Sequence, residues 1–193
     1  MDKKKKILNA VDILFTDKGY NLSMSDIAKD VGIKVPSIYS HYTGKDEIIF
    51  LVVEKKINHF YDFIFEEMKK TKDKSFEESL KILFYLVINY FNQKNRLHFW
   101  RNISLIQNSE LKKTCEDLIR LKEKILYEKL YMIFIEGKDE EKINYVNLKG
   151  IVSLTFVLVK GVMDTMIVYQ NSDIDLQSFF DEIWNEYWFS IKK

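Results

Sequence analysis

Apolar residues recur along this chain at the three- to four-residue spacing of amphipathic helices, which predicts an all-α protein of about nine helices. One face of the first segment collects its apolar side chains: Ile7, Ala10, Val11, Leu14 and Phe15. Gly19 follows them as a helix end. One proline and six glycines in 193 residues favour long helices over strands and turns.

The same spacing predicts a fourth helix from about Lys45 to the charged run at 69–74. Five further helices are predicted over 76–92, 96–107, 109–136, 143–171 and 175–192. Between the third and fourth of these five, we expect a loop around Gly137, of the length common in helix–helix connections.

Residues 23–45 predict two short helices joined by a glycine turn. Ser23 has the hydroxyl of a helix cap, and Asp26 stands three residues later, where its carboxylate reaches back to the cap. Gly32 ends the first helix, and Pro36 is tolerated in the first turn of the second. With Ile38 turned inward, this is a helix-turn-helix, whose second helix enters the DNA major groove.

The first fifty residues resemble the DNA-binding end of TetR-family transcriptional regulators. The resemblance rests on four segments in order: ILNAVDILFTDKGY, SMSDIAKDVG, VPSIYSHY and GKDEI. It implies a DNA-binding domain at 1–46 and, at 47–193, a helical domain that binds an effector and dimerises. This chain has Lys34 and Val35 where the family often has Ser then Lys, so its basic group is displaced by one position, about 100° around the helix.

Phosphate contacts position such a protein on DNA, and base contacts select the sequence. The resemblance implies phosphate contacts from Tyr39, His41 and Lys45. Polar groups on the second helix predict base contacts, with Val35 against a thymine methyl group. The complete set of DNA-binding candidates is Ser23, Lys34, Val35, Ser37, Tyr39, Ser40, His41 and Lys45. The expected partner is double-stranded DNA with a near-palindromic operator, since a dimer presents two such helices about 34–36 Å apart.

The last helix carries an aromatic stripe that must be buried against something. One interpretation is packing within the chain's own core. The other is a homodimer interface made with the preceding helix, where Gly150 and Gly161 permit close approach. The resemblance favours the dimer, because the family dimerises through its last two long helices. The interface candidates are Phe179, Phe180, Ile183, Trp184, Tyr187 and Trp188.

Aromatic and polar residues of the second domain predict an apolar effector cavity, with an ordinary packed core as the alternative for each residue. Lys160 and Asp164 lie one turn apart, and we favour an ion pair between them over a ligand contact. The effector candidates are Tyr85, Phe91, His98, Phe99, Trp100, Arg101, Tyr127, Tyr131, Phe156, Lys160 and Asp164.

The net charge of +1 does not by itself indicate nucleic-acid binding. Lys3–Lys6 are equally a basic DNA-contacting arm or a solubilising tail. The single Cys115 excludes a disulfide within the chain and favours a buried thiol. The apolar stretch at 150–159 is ten residues long, too short to cross a bilayer, so we expect a cytoplasmic protein with no membrane contact.

Motifs for phosphate loops, metal sites and nucleophile elbows do not occur, so we expect no enzyme, catalytic residue, metal or cofactor. The sequence favours a repressor released from its operator by an apolar or amphipathic small molecule. The alternatives are an activator or nucleoid-associated factor without an effector, and a helical interaction protein that retains the head as a relic.

Overall fold

The structure, a computed structural model, describes residues 2–143, 147–169 and 172–193. Within these ranges the chain forms nine α-helices and one short 3-10 turn, Gly19–Asn21, which confirms the all-α prediction. In chain order the helices are α1 Lys3–Lys18, α2 Met24–Val31, α3 Val35–Tyr39, α4 Lys45–Lys70, α5 Phe76–Phe91, α6 Lys94–Ser104, α7 Ser109–Asp139, α8 Leu148–Tyr169 and α9 Leu176–Ile191.

Two compact units divide the chain. The first contains Met1–Phe60 and Asn95–Arg120, and the second contains Tyr61–Lys94 and Leu121–Lys193. The sequence predicts a domain boundary after residue 46, but the first unit continues to Phe60. It also includes α6 and the first part of α7, which pack with the N-terminal helices. The assignment of separate functions to residues 1–46 and 47–193 stays a prediction.

The core of the first unit forms around α1, which buries much of its predicted face: Ile7, Ala10, Val11 and Phe15. The Phe15 ring meets the Phe99 ring of α6 edge-on, with centroids 5.3 Å apart. From the same helix, the Asn102 amide donates hydrogen bonds to the carbonyl oxygens of Phe15 and Thr16, at 2.7 and 3.1 Å. The Phe15 carbonyl also accepts from the Gly19 amide, so Asn102 adds a second donor there and supplies one to the Thr16 carbonyl near the end of α1.

The core of the second unit takes up the aromatic stripe of α9. Trp184 is buried and lies 5.6 Å from the Phe84 ring of α5, centroid to centroid. The Tyr187 hydroxyl lies 2.6 Å from the hydroxyl oxygen of Thr155 on α8. Because Phe180, Trp184 and Tyr187 are all buried within the protomer, their prediction as dimer contacts is wrong, and the alternative of core packing holds for these three.

No loop forms at Gly137, because α7 continues through this residue to Asp139. The glycine is instead needed for close packing. A Cβ at this position would lie 2.6 Å from Cε2 of Phe76, well inside contact distance. The buried Phe76 ring therefore packs directly on the backbone of α7.

The start predicted for α8 at residue 143 is also wrong. Ile143 forms an isolated antiparallel bridge with Lys192, and α8 begins at Leu148. The rest of the predicted start, 144–146, and the predicted end at 170–171 lie outside the described residues.

Length and composition would allow α8 to cross a membrane, since it has 22 residues and a window of mean hydropathy 1.9. The expectation that its apolar stretch is too short is therefore wrong, because the helix continues past Lys160 to Tyr169. Core helices of soluble proteins share these properties, so one such helix is only a weak indication of a membrane span.

Cys115 on α7 is fully buried, as its place in an apolar pattern predicts. Burial, and to a smaller extent the neighbouring Glu116, raise the pKa of its thiol to about 11. The reactive thiolate is consequently scarce at neutral pH.

We expect Gly137→Ala to lower the free energy of unfolding by about 1–3 kcal/mol, the usual cost of overpacking, despite the better helix propensity of alanine. Denaturant unfolding of this variant, of Phe76→Leu and of the double variant measures the effect. The smaller leucine makes room for the methyl group, so Gly137→Ala should cost less in the Phe76→Leu background. An equal cost in both backgrounds would refute the steric explanation.

Candidate DNA interface and effector residues

The first helix of the predicted motif, α2, begins with a complete capping box. The Ser23 hydroxyl accepts a hydrogen bond from the Asp26 amide at 3.1 Å, and the Asp26 carboxylate accepts one from the Ser23 amide at 2.8 Å. Bonds from Lys18, and then from Ser23, hold the pKa of Asp26 well below its usual range. The Ser23 hydroxyl also donates to Asp26, so this residue contributes to folding of the head, and its role as a DNA contact stays a prediction.

A tight turn connects α2 to α3. Gly32 has φ = 73°, a left-handed conformation that suits glycine, and its amide donates to the carbonyls of Ala28 and Lys29. The amide of Ile33 returns to the Ala28 carbonyl at 3.0 Å. Ile38 of α3 is fully buried, as predicted, which fixes the face that α3 turns toward solvent.

The predicted DNA-contacting side chains of α3 lie at or near its surface. Tyr39 is 54% exposed, and Lys34 and Ser40 are also exposed. Val35, Ser37 and His41 are half-buried. The Ser40 hydroxyl donates to the Ser37 carbonyl, so its proton is already used within α3. Tyr42, just after α3, is buried, and its hydroxyl donates to the Lys4 carbonyl at 3.3 Å.

Lys45, at the first residue of α4, is held by Tyr20. Its ammonium donates to the Tyr20 carbonyl at 2.9 Å and lies 3.9 Å from the centroid of the Tyr20 ring. Neither contact neutralises the charge, and Lys45 forms no ion pair with any residue that the structure describes. An ammonium has three N–H donors, so further donors remain for a phosphate at this helix N-terminus.

The same end of α4 is supported by a hydrogen-bond network that sequence reasoning missed. The Asp46 carboxylate accepts from the Tyr20 hydroxyl at 2.8 Å and from the Asn108 amide at 2.9 Å. Asn108 also caps α7, because its side-chain oxygen accepts from the amides of Glu110 and Leu111. Burial, and then the bond to Asp46, raise the pKa of the Tyr20 phenol. An asparagine just before a helix predicts the cap, but nothing local in the sequence identifies Asp46 as its second partner.

Lys3–Lys6 do not form an arm: they are the first turn of α1, which Asp2 caps by accepting from the Lys4 amide. All four lysines are exposed. The two expectations for this run, DNA contact or solubility, both stay predictions.

The effector candidates do not form one cluster within either unit. His98, Phe99, Trp100 and Arg101 belong to α6 in the first unit, where Trp100 packs edge-on against Phe60 at 5.1 Å. The other seven candidates belong to the second unit.

Several of those seven have partners within the second unit. Tyr85 donates to Asp181, and Tyr127 donates to the Lys149 carbonyl at 3.1 Å. Lys160 pairs with Glu123 of α7 at 2.8 Å, so the predicted ion pair with Asp164 is wrong. Glu123 approaches from a neighbouring helix, a partner that spacing along α8 cannot reveal.

The geometry of α2, the Gly32 turn and α3 defines a helix-turn-helix DNA-binding domain. Residues 7–52 match the family of bacterial regulatory proteins described as the tetR family. The biofilm operon icaADBC negative transcriptional regulator IcaR of Staphylococcus epidermidis is 44% identical over 62 residues, which cover 32% of this chain and 34% of IcaR. The chain spans about a third to a half of the length of the curated relatives it matches.

Solved structures extend the likeness to the whole fold. A TetR transcription regulator from Haloarcula marismortui has a TM-score of 0.76 at 14% identity, covering 100% of this chain and 99% of that one. FadR of Bacillus subtilis, in complex with stearoyl-CoA, has a TM-score of 0.71 at 18% identity, covering 97% and 98%. The segment at residues 7–52 thus matches the DNA-binding part of TetR-family transcriptional regulators, and the whole chain shares the fold of solved TetR regulators.

We expect Asn108→Asp to lower the free energy of unfolding by about 1–3 kcal/mol, because it removes the amide donor and sets a second carboxylate against Asp46. Asn108→Ser is the matched control, since serine also caps helices but brings no charge. Denaturant unfolding at neutral pH and near pH 3 separates the two effects. The difference between the variants should shrink in acid, where carboxylates are protonated; a difference that does not depend on pH would contradict the network.

Proposed function

We propose that this protein is a dimeric repressor that binds a near-palindromic operator and is released by an amphipathic small molecule. The observation that carries the proposal is the intact helix-turn-helix, with the solvent side of α3 lined by Lys34, Tyr39 and Ser40. Three features together support a functional DNA-binding domain. They are the capping box of α2, the left-handed turn at Gly32 and the lysine at the N-terminus of α4.

We assign phosphate contacts to Tyr39, His41 and Lys45, and base contacts to Lys34, Val35, Ser37 and Ser40. Tyr39 is the best test of a phosphate contact, because its exposed ring contributes little to folding. Lys45 is a poorer test, because it also binds Tyr20. For base readout, Lys34 stands at the N-terminal end of α3, where recognition helices reach base edges.

We propose that two copies dimerise through α8, because the predicted contact face of α9 is largely buried within the protomer. Leu154, Val157 and Val168 are exposed by 48%, 67% and 70%, and they recur with Gly161 at intervals of three, four and seven residues. This stripe lies on one side of a helix, and a second copy related by two-fold symmetry would bury it. A Cβ at Gly161 would meet nothing within 4 Å, so the backbone there is open to close approach. Phe179, 40% exposed on α9, remains a candidate contact, as do the half-buried Ile183 and Trp188.

Burial of this stripe between two copies also accounts for the apolar character of α8 without a membrane. Lys160 and Asp164 in the middle of the helix, and the ion pair of Lys160 with Glu123, favour an aqueous environment. We therefore propose a cytoplasmic protein.

Support for repression and for an effector comes from the relatives. IcaR is a negative transcriptional regulator, and FadR of Bacillus subtilis is seen with stearoyl-CoA. On this basis we propose repression and a ligand that combines an apolar chain with a polar group.

Footprinting of the purified protein on DNA upstream of its own gene tests the DNA reader. We expect a protected near-palindrome, and Tyr39→Ala should weaken binding to operator and unrelated DNA alike, by about tenfold, or about 1.4 kcal/mol. Lys34→Ala should reduce the preference for the operator more than it reduces binding to unrelated DNA. Lys55→Ala is the control, because it removes an exposed lysine of the first unit outside α3. If Tyr39→Ala and Lys34→Ala bind both DNAs as the wild type and the Lys55→Ala control do, the assignment fails.

Sedimentation of Val157→Arg tests the dimer. The wild type should be dimeric at micromolar concentration, and the variant should be monomeric, because the arginine would carry an unpaired charge into the interface. Leu121→Arg is the matched control, since Leu121 is also an exposed apolar residue, on α7. Equal dimerisation of the two variants would place the interface elsewhere.

A further inference from the structure

A cleft of about 330 Å³ opens in the second unit between the end of α4, the start of α5 and the last part of α7. Its volume is within the range of small-molecule sites, roughly 300–1,000 Å³. None of the effector candidates predicted from the sequence lines this cleft.

The apolar part of the cleft consists of Phe65, Met68, Phe76, Met132 and Ile133. Met132 is 55% exposed, a large fraction for an apolar side chain. Methionine side chains adapt their shape to a flexible ligand, and exposed methionines are frequent in binding surfaces for varied apolar partners. Gly137 also lines the cleft, where its missing side chain leaves the Phe76 ring in contact with the α7 backbone.

Four lysines also line the cleft: Lys69, Lys72, Lys74 and Lys129. Lys69 pairs with Glu66, and Lys129 lies 5.4 Å from the Phe65 ring centroid. Lys72 and Lys74 form no ion pair within the described residues. In the described part of the chain, only two carboxylates, those of Glu136 and Glu140, line the cleft. The four lysines outnumber them, so the lining has an excess of positive charge.

The segment that carries Lys72 and Lys74 is held by hydrogen bonds on both sides. The Thr71 carbonyl accepts from the Lys74 amide at 3.0 Å and from the hydroxyl of the buried Ser79 at 3.1 Å. Just after it, a capping box between Ser75 and Glu78 starts α5. The two lysines therefore extend from a fixed turn, so less backbone freedom is lost when they bind a ligand.

We propose that this cleft binds a small single-chain amphiphilic anion, with its alkyl chain on the methionine and phenylalanine side chains and its anionic group at Lys72 and Lys74. The excess of lysines over carboxylates beside an apolar lining favours this class over neutral or cationic amphiphiles. The site itself stands on the cleft alone, and only its regulatory role rests on the proposed function.

Calorimetric titration of the full chain with decanoate, kept below its micelle concentration and without DNA, tests the site. We expect saturable binding of one decanoate per chain, with decanol and decyltrimethylammonium binding at least tenfold more weakly. Lys72→Glu/Lys74→Glu should weaken decanoate binding at least tenfold. The control Lys81→Glu/Lys124→Glu changes the net charge equally at two exposed lysines of the same unit that do not line the cleft, and it should bind as the wild type does.

A second pair of variants tests the apolar surface. Met132→Trp fills the cleft and should abolish binding, whereas Leu121→Trp, at a similarly exposed position of α7 outside the cleft, should not. Equal binding by all four variants would overturn the proposal, as would binding of the three decyl compounds with one affinity. Capture of the protein by anionic phospholipid vesicles, with no binding of free decanoate, would also overturn it.

Gel-shift titration of the operator complex with decanoate separates the two proposals. Release by wild type but not by Lys72→Glu/Lys74→Glu would support a regulatory role for this cleft. Calorimetric binding without release would leave the site established and reject decanoate as its effector. Failure of the protein to bind any operator would reject the proposed function and leave the calorimetric result unaffected.

Discussion

The Asp46 carboxylate joins three segments of the first unit that are far apart in sequence. One oxygen accepts from Tyr20, which precedes the helix-turn-helix, and the other accepts from Asn108, which precedes α7. Tyr20 in turn holds the ammonium of Lys45 through its carbonyl and its ring. The N-terminus of α4 is therefore positioned by polar contacts as well as by its buried side chains Ile48 and Ile49. A half-buried carboxylate is costly to leave unpaired. Loss of Tyr20 or Asn108 as a donor therefore destabilises the N-terminus of α4, which follows the helix-turn-helix.

Local rules predict much of the fold, because helix caps and turns are decided within a few residues. Ser23 with Asp26 shows the signature directly, and Gly32 adopts the left-handed conformation that a turn at its position requires. The partners of Asp46 and Lys160 could not be predicted in this way. Tyr20 is 26 residues from Asp46, and Glu123 is on a different helix from Lys160. Such pairs depend on how helices pack, which the spacing along a single helix does not contain.

Gly137 and α9 show where pattern reasoning leads to a wrong prediction. A glycine near charged residues is typical of a loop, yet Gly137 lies inside a helix because an aromatic ring needs the space of its missing side chain. The aromatic stripe of α9 is real, but periodicity shows only that a face is buried, not which surface covers it. In this protein the chain's own α5 and α8 cover much of it, through Phe84 and Thr155. The less prominent stripe of α8 is the one left exposed.

The tryptophans, which dominate the protein's intrinsic fluorescence, are distributed over both units. Of the three tryptophans, Trp100 lies in the first unit against Phe60, whereas Trp184 and Trp188 lie in the second. The rings of Trp184 and Trp188 are almost parallel, at an angle of 4° and a centroid distance of 6.3 Å. A protein that retains only Trp100 therefore emits from the unit that contains the helix-turn-helix, and one that lacks Trp100 emits from the unit that contains the cleft. Each unit thus carries its own natural optical label, which substitution of the tryptophans in the other unit isolates, and no dye has to be attached.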